Sequence, residues 1–332
     1  MSVGEFYYGG DTLPKWLEME KHPRYMLSQP NYITRSNIPY SGRMDFEYNQ
    51  RAYIEEIFLN FNMPKIVNTG ANWKDGVGHA IISQLQVLLG TEKLLDVSEV
   101  ALDILYHSQK TSEVHDSMIG YYAIESQKRG DPRYEFMIRL PMPMQGPIIT
   151  GNGFNTLKIS LELRDPSDMT EPFSQVEGQL LIDILLKGET LVGHEMVPIP
   201  QPLPLMNVAY SRDVKLPSFT CIREIIVAFS DTEFGFNYAT SAKGAFLRHL
   251  TLRDTHDIID VPAYILRQMH LKYSHGRYIY RIPFPHGYLE NRHTSTKTFR
   301  FDFYEDPSFI HVVTIYQGIL YQTLEDTIYI DK

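Results

Sequence analysis

Residues Gly76–Ser108, GVGHAIISQLQVLLGTEKLLDVSEVALDILYHS, place a strand, a two-residue turn, a second short strand and a helix in one uninterrupted run. From Ala80 to Leu89, the residues Ile82, Leu85, Val87 and Leu89 are apolar, while Ser83, Gln84 and Gln86 are polar. This imperfect period of two suits a strand with one face against a core. Gly90-Thr91 turns the chain, and Leu94, Leu95 and Val97 form the returning strand. Val100, Ala101, Ile104 and Leu105 then recur at helical spacing behind Ser98, whose hydroxyl suits an N-cap.

The pattern of short strands extends outward from this segment. The chain has 332 residues, 43% hydrophobic and 12% aromatic, enough to bury a large core in one or two domains. Tyr and Phe far outnumber Trp, and abundant Pro and Gly punctuate the chain, which favours many short strands over a helical bundle. Residues 1–27 read as an irregular arm, with Trp16, Leu17 and Met19 among charges and with Pro14 and Pro23 limiting any helix. A first block spans 28–165, patterned by Phe46, Tyr48, Ile54, Ile57, Leu59 and Phe61, with polar turns at Asn68–Asp75 and Gln127–Arg133. A linker, Asp165–Pro172, marks the boundary.

The second block, 173–332, is expected to open on the strand GQLLIDILLK, from Gly178 to Lys187. Pro198, Pro200, Pro202 and Pro204 follow and are excluded from any central strand. Ile222–Phe229 reads as a buried strand, Ala245–Leu252 as another, and Pro262 as the start of a short helix matching the surface helix of the first block. Ile279–Phe284, Thr298–Phe303 and Phe309–Leu320 complete the set. The reading is all-β: two tandem eight-stranded antiparallel jelly-roll barrels with short surface helices.

Charge and motifs narrow the function. A net charge of -9 leaves no clustered basic surplus to coat phosphates, so no direct nucleic-acid contact is expected. The single cysteine, Cys221, permits no intrachain disulfide and suggests synthesis in a reducing compartment; ahead of a buried strand it reads as a small core residue. Neither a membrane span, nor a signal peptide, nor an Asn-x-Ser/Thr sequon is apparent, so a soluble, cytosolic chain is expected. His194-Glu195 lacks the second histidine of a zinc-protease motif, with Pro198 in its place. His249, His256, His270, His275, His286 and His293 invite comparison with a cupin metal centre, but no His-x-His pair occurs among them. Asp254 and Asp257 flank a turn with no partner for acid–base work, and Gly151-Asn152-Gly153 suits a hairpin turn better than a phosphate loop. Neither enzymatic activity nor a cofactor or metal is expected.

The order and wording of these segments resemble those of double jelly-roll major capsid proteins of nucleocytoplasmic large DNA viruses and related eukaryotic DNA viruses. HAII in the opening stretch is similar to that family's GHALI-like strand start, which leads through a hairpin into a helix. IFLNFNMP, ending at Pro64, resembles the strand closing on YLEVTLP, and HDSMIG, from His115 to Gly120, resembles YDKMIG. YEFMIRLPMP, Tyr134–Pro143, resembles the strand leading to PLPF, and LKISLELR, Leu157–Arg164, the VKINIEFR strand. Further matches occur at Tyr278–Phe303 and in the closing strand Phe309–Tyr321. The family's NPQITFFK motif has only a faint counterpart in Gln29–Thr34, and the compact length implies a low-relief capsomer.

The resemblance implies a viral major capsid protein, made in the host cytoplasm and located in the virion capsid. It would form pseudo-hexagonal homotrimers that tile an icosahedral shell. Its partners would be further copies of itself, minor capsid or penton proteins, and an internal membrane. Trp16, Trp73, Tyr288 and Arg292 are the interface candidates, since loop aromatics and arginine dominate interface energetics. A minor capsid or scaffold protein of the same fold, a carbohydrate-binding β-sandwich and a cupin-type enzyme are the alternatives.

Overall fold

The computed structural model describes residues 31–39, 42–108, 118–120, 134–141, 148–151, 156–190, 201–215, 221–230, 247–253, 258–274, 277–283, 289–290, 298–304, 307–322 and 328–331. The first thirteen strands are β1 (Asn31–Pro39), β2 (Arg43–Tyr48), β3 (Ala52–Asn62), β4 (Lys65–Ile66), β5 (Asn72–Trp73), β6 (Ile82–Leu89), β7 (Glu92–Ser98), β8 (Glu135–Arg139), β9 (Ile148–Thr150), β10 (Leu157–Leu163), β11 (Thr170–Glu171), β12 (Val176–Glu177) and β13 (Leu181–Thr190). Two main antiparallel sheets result, ordered β1-β13-β3-β8 with β9 also on β3, and β2-β10-β6-β7, beside the two-stranded pairs β11-β5 and β12-β4. Alternation decides the inner faces: Met44, Phe46 and Tyr48 of β2 are buried between exposed Arg43, Asp45 and Glu47.

The opening stretch folds largely as read. β6 and β7 form a hairpin through Gly90, whose φ of 58° is the left-handed conformation glycine tolerates. The helix α2 (Glu99–Ser108) follows directly. One refinement concerns the start, where a single helical turn, α1 (Val77–Ala80), precedes the strand.

The remaining strands are β14 (Gln201–Ala209), β15 (Asp213–Lys215), β16 (Cys221–Ser230), β17 (Leu247–Arg253), β18 (Ile258–Pro262), β19 (Leu271–Ser274), β20 (Arg277–Pro283), β21 (Leu289–Glu290), β22 (Thr298–Phe303), β23 (Phe309–Gln322) and β24 (Ile328–Asp331). They build sheets ordered β14-β23-β16-β20-β19 and β15-β22-β17-β18. The two orders repeat the first module strand for strand: β1-β13-β3-β8 matches β14-β23-β16-β20, and β2-β10-β6-β7 matches β15-β22-β17-β18. As expected, a short helix begins after Pro262. It is α3 (Ala263–Ile265), continued by a π-turn over Leu266–His270, and it stands where α2 stands in the first module.

Two expectations are corrected, and a third, on the prolines, holds. Leu181–Thr190, read as the opening strand of the second block, pairs with β1 on one side and β3 on the other, in the middle of the first module's sheet. The 165–172 stretch is not a free linker: Asp165 caps a 3₁₀ turn over Pro166–Met169, and β11 then pairs with β5. By strand pairing the first module therefore runs through Thr190. The prolines at 202 and 204 do lie within a strand, β14, but at a sheet edge with β23 as its ladder partner. An edge strand leaves every second amide out of the ladder, and two prolines two residues apart share that parity.

A continuous apolar run marks the strand buried on both faces. In β16, Ile225, Val227 and Phe229 enter the second module's core, whereas Ile226 and Ala228 join the large core centred on the first module. Ile279 and Val313 of the neighbouring strands join them, while Tyr280, Ile282 and Val312 point the other way. One sheet thus serves two cores, and the modules are welded through it.

Candidate functional site at the module junction and its exposed counterpart

Helix α2 lies against the outer face of the second module's larger sheet, over β16 and β20. Expected as a surface helix, it is buried along its length apart from half-buried Tyr106. Four buried polar groups on it, on Glu99, Asp103, His107 and Ser108, must therefore find partners within the chain. Glu99, in the first turn where a carboxylate suits the helix dipole, pairs with Arg164, whose Nη1 also donates to the Ala80 carbonyl at 2.9 Å. His79 of α1 lies with Nδ1 3.0 Å from Asp103 Oδ1, and His107 Nε2 lies 3.5 Å from the same oxygen.

The other end of α2 meets the second module. Arg281 of β20 pairs with Glu224 of β16, with Nη2 donating to Oε2 at 3.1 Å, and its Nη1 donates to the Ser108 carbonyl at 3.2 Å. A cation at a helix C-terminus satisfies carbonyls that have no intrahelical donor. Arg281 is thus a polar tie between the modules. His311 of β23, opposite Ala228, is 4% exposed on the same face and meets Tyr210 edge-on at 5.7 Å. Burial pushes its pKa down to about 4, so it is neutral near pH 7.

The second module's equivalent of α2 is exposed. Leu266 anchors the α3 turn in the core, but Tyr264 is 64% and Met269 73% exposed. Beside them an open cleft of about 490 Å³ is lined by Arg248, His249, Tyr264, Arg267, Gln268 and Tyr304. The Arg267 guanidinium sits over the Tyr304 ring, 5.0 Å from its centroid, and Tyr304 is itself 57% exposed. Arginine stacked on exposed tyrosine is a composition enriched at protein-contact surfaces.

The residues singled out from the sequence are distributed differently. Trp73 is fully buried where β5 pairs with β11, opposite Thr170, and its Nε1 has no hydrogen-bond partner among the described residues. It is a core residue of the first module and offers no surface to a second subunit. Trp16, Tyr288 and Arg292 lie outside the described residues, as do Asn152, Gly153, His194, His256, His275, His286, His293, Asp254 and Asp257. Cys221 begins β16. His249 Nδ1 lies 3.3 Å from Asp260, and His270 Nδ1 donates to the Arg281 carbonyl at 3.1 Å, so the two belong to different local contacts. Among the described residues no three His, Cys, Asp or Glu side chains converge to hold a metal ion, and no helix is long and apolar enough to cross a membrane. The sequence reading missed Arg281 with Glu224 and the Asp103 pairs. The signals were charged residues within two largely apolar strands and Asp103 four residues before His107 on a helix.

Among solved structures, the chain matches the capsid protein VP54 of PBCV-1, a crystal structure fitted into a reconstruction of the virophage Sputnik. The TM-score is 0.65 at 8% identity, over 92% of this chain and 98% of that one. The major capsid protein of Sulfolobus Turreted Icosahedral Virus matches with a TM-score of 0.58 at 11% identity, over 87% of this chain and 97% of that one. The PBCV-1 virus capsid structure matches with a TM-score of 0.58 at 8% identity, over 90% and 97%. The fold is a double jelly roll. No protein-family model matches the sequence, and no curated protein matches it. At these identities the double jelly roll is carried by sheet order and module pairing, not by shared residues.

Proposed function

We propose that this double jelly-roll chain is a viral capsid protein that assembles as a homotrimer of pseudo-hexagonal outline and tiles an icosahedral shell. The observation that carries the proposal is the tandem repeat itself: two modules of the same strand order sit side by side, joined through a buried helix-on-sheet contact. A chain with two near-equivalent flanks, repeated three times about an axis, presents six modules and closes heterologously. Likeness to capsid proteins over nearly the whole chain supports the same reading. The role is structural, its site is the virion shell, and synthesis belongs to the host cytoplasm. Minor capsid or penton proteins and an internal membrane are the further partners, with Trp16, Tyr288 and Arg292 proposed as interface residues.

Mass photometry of the purified full chain over a range of concentrations tests this directly. The expected species has three times the 38.5 kDa chain mass, with six-cornered particles in negative-stain images. A strictly monomeric protein that binds glycans would overturn the proposal in favour of a carbohydrate-binding sandwich.

A further inference from the structure

We propose, resting on the trimer reading above, that the α3 turn of one subunit docks on the outer face of the β1-β13-β3-β8 sheet of a second copy of this chain. The single chain displays the template for that contact. In the first module the helix after the fifth strand of the roll, α2, covers the outer face of the second module's β14-β23-β16-β20 sheet. The second module carries its own version of the helix, α3, and the first module its own version of the sheet face. Neither has a described element across it. Repeating the one observed contact from each module to the next is what closes a ring of six.

The chemistry of the two pairs fits their different histories. The face covered within the chain has an apolar centre, Ile226, Ala228, Ile279 and Val313, with Arg281, Glu224 and His311 beside it. Its counterpart is mixed: Phe58, Leu185 and Met137 are half-buried there, with Glu56 held by Lys187 and Arg139 at one end and Asn60, Asp183 and Glu135 at the other. Such a surface stays soluble before assembly and still offers an apolar centre with a polar rim afterwards. The face of the α3 turn is complementary in kind, with Tyr264 and Met269 as exposed apolar anchors and Arg267 and Arg248 as flanking cations. Asp183 and Glu135 converge on Asn60, at 3.4 and 2.9 Å from its Nδ2, and place two carboxylates together opposite those arginines.

Engineered cross-linking tests the contact in the full chain. In a Cys221→Ser background, Met137→Cys and Met269→Cys together are expected to give disulfide-linked dimers and trimers on non-reducing gels, whereas each alone gives monomers. Independently, Arg267→Glu is expected to weaken trimerisation by about tenfold or more, and adding Asp183→Lys to restore it. Stable trimers with no cross-link and no response to charge reversal would overturn this docking while leaving the capsid reading intact. A wild-type chain that never trimerises would remove both. Should Trp16→Cys cross-link to Met137→Cys within a monomer, the chain's own N-terminal arm is the occupant and the proposal fails.

Discussion

Acidification should loosen this protein through one histidine. His311 is buried on the face of β23 that it shares with Ala228 of β16, and its folded pKa of about 4 lies below the 6.5 of an exposed imidazole because burial disfavours the cation. Between those values the unfolded chain takes up a proton that the folded chain refuses, so stability falls as pH drops. No loss from this group exists above about pH 7. Each pH unit below 6.5 removes about 1.4 kcal/mol, which amounts to about 2 kcal/mol at pH 5 and levels off near 3 kcal/mol below pH 4. His270 is shifted in the same direction by burial and adds to the trend. The assay is urea denaturation at pH 7, 6 and 5, at fixed protein concentration, for the wild type and His311→Leu. Subtracting the two profiles cancels every other titrating group. The wild type is expected to lose about 2 kcal/mol more than the variant between pH 7 and 5. Parallel profiles would show that His311 is solvated or already charged, and the account of the junction would be wrong.

Two further outcomes follow from the geometry. Replacing Arg281 by Met should cost about 1–2 kcal/mol, because Glu224 and the Ser108 carbonyl lose a charged donor in a contact that is only partly screened from water; the double variant Arg281→Met/Glu224→Leu should recover much of it in thermal melts. Gly151→Ala should prevent soluble expression or lower the melting temperature sharply. Its φ is 94° and the added Cβ would sit 2.3 Å from the Arg51 backbone nitrogen, a position from which neither segment can retreat.

What the sequence discloses here depends on how local the determinant is. The segment from Ile82 to Ser108 was legible because alternation, a Gly-containing turn and helical spacing each act over a few residues. β13 was legible as a strand but not as a member of the first module, since its partners Ile57, Leu59 and Phe61 lie more than a hundred positions earlier and nothing in GQLLIDILLK encodes them. The prolines of β14 show the converse: the rule excluding them from central strands held, and the missing fact was that β14 sits at an edge. Trp73 was read as a loop residue because polar neighbours surround it in sequence, yet the two-residue pairing with Thr170 folds it inward. Arg281 and Glu224 each sit beside apolar residues, Ile282 and Ile225, in strands that carry a second charge, Arg277 and Arg223. Their pairing could be seen only after strand register placed Ile226 opposite Arg281.

The double burial of β16 has an evolutionary consequence. A jelly roll whose outer wall is also its neighbour's floor cannot be lent to another protein by a clean cut. Severing the chain between Thr190 and Gln201 would leave a greasy strip of Ile226, Ala228, Ile279 and Val313 open to water. Whatever duplication produced the two halves, they are now inherited as a single unit, and drift in either must be matched in the other.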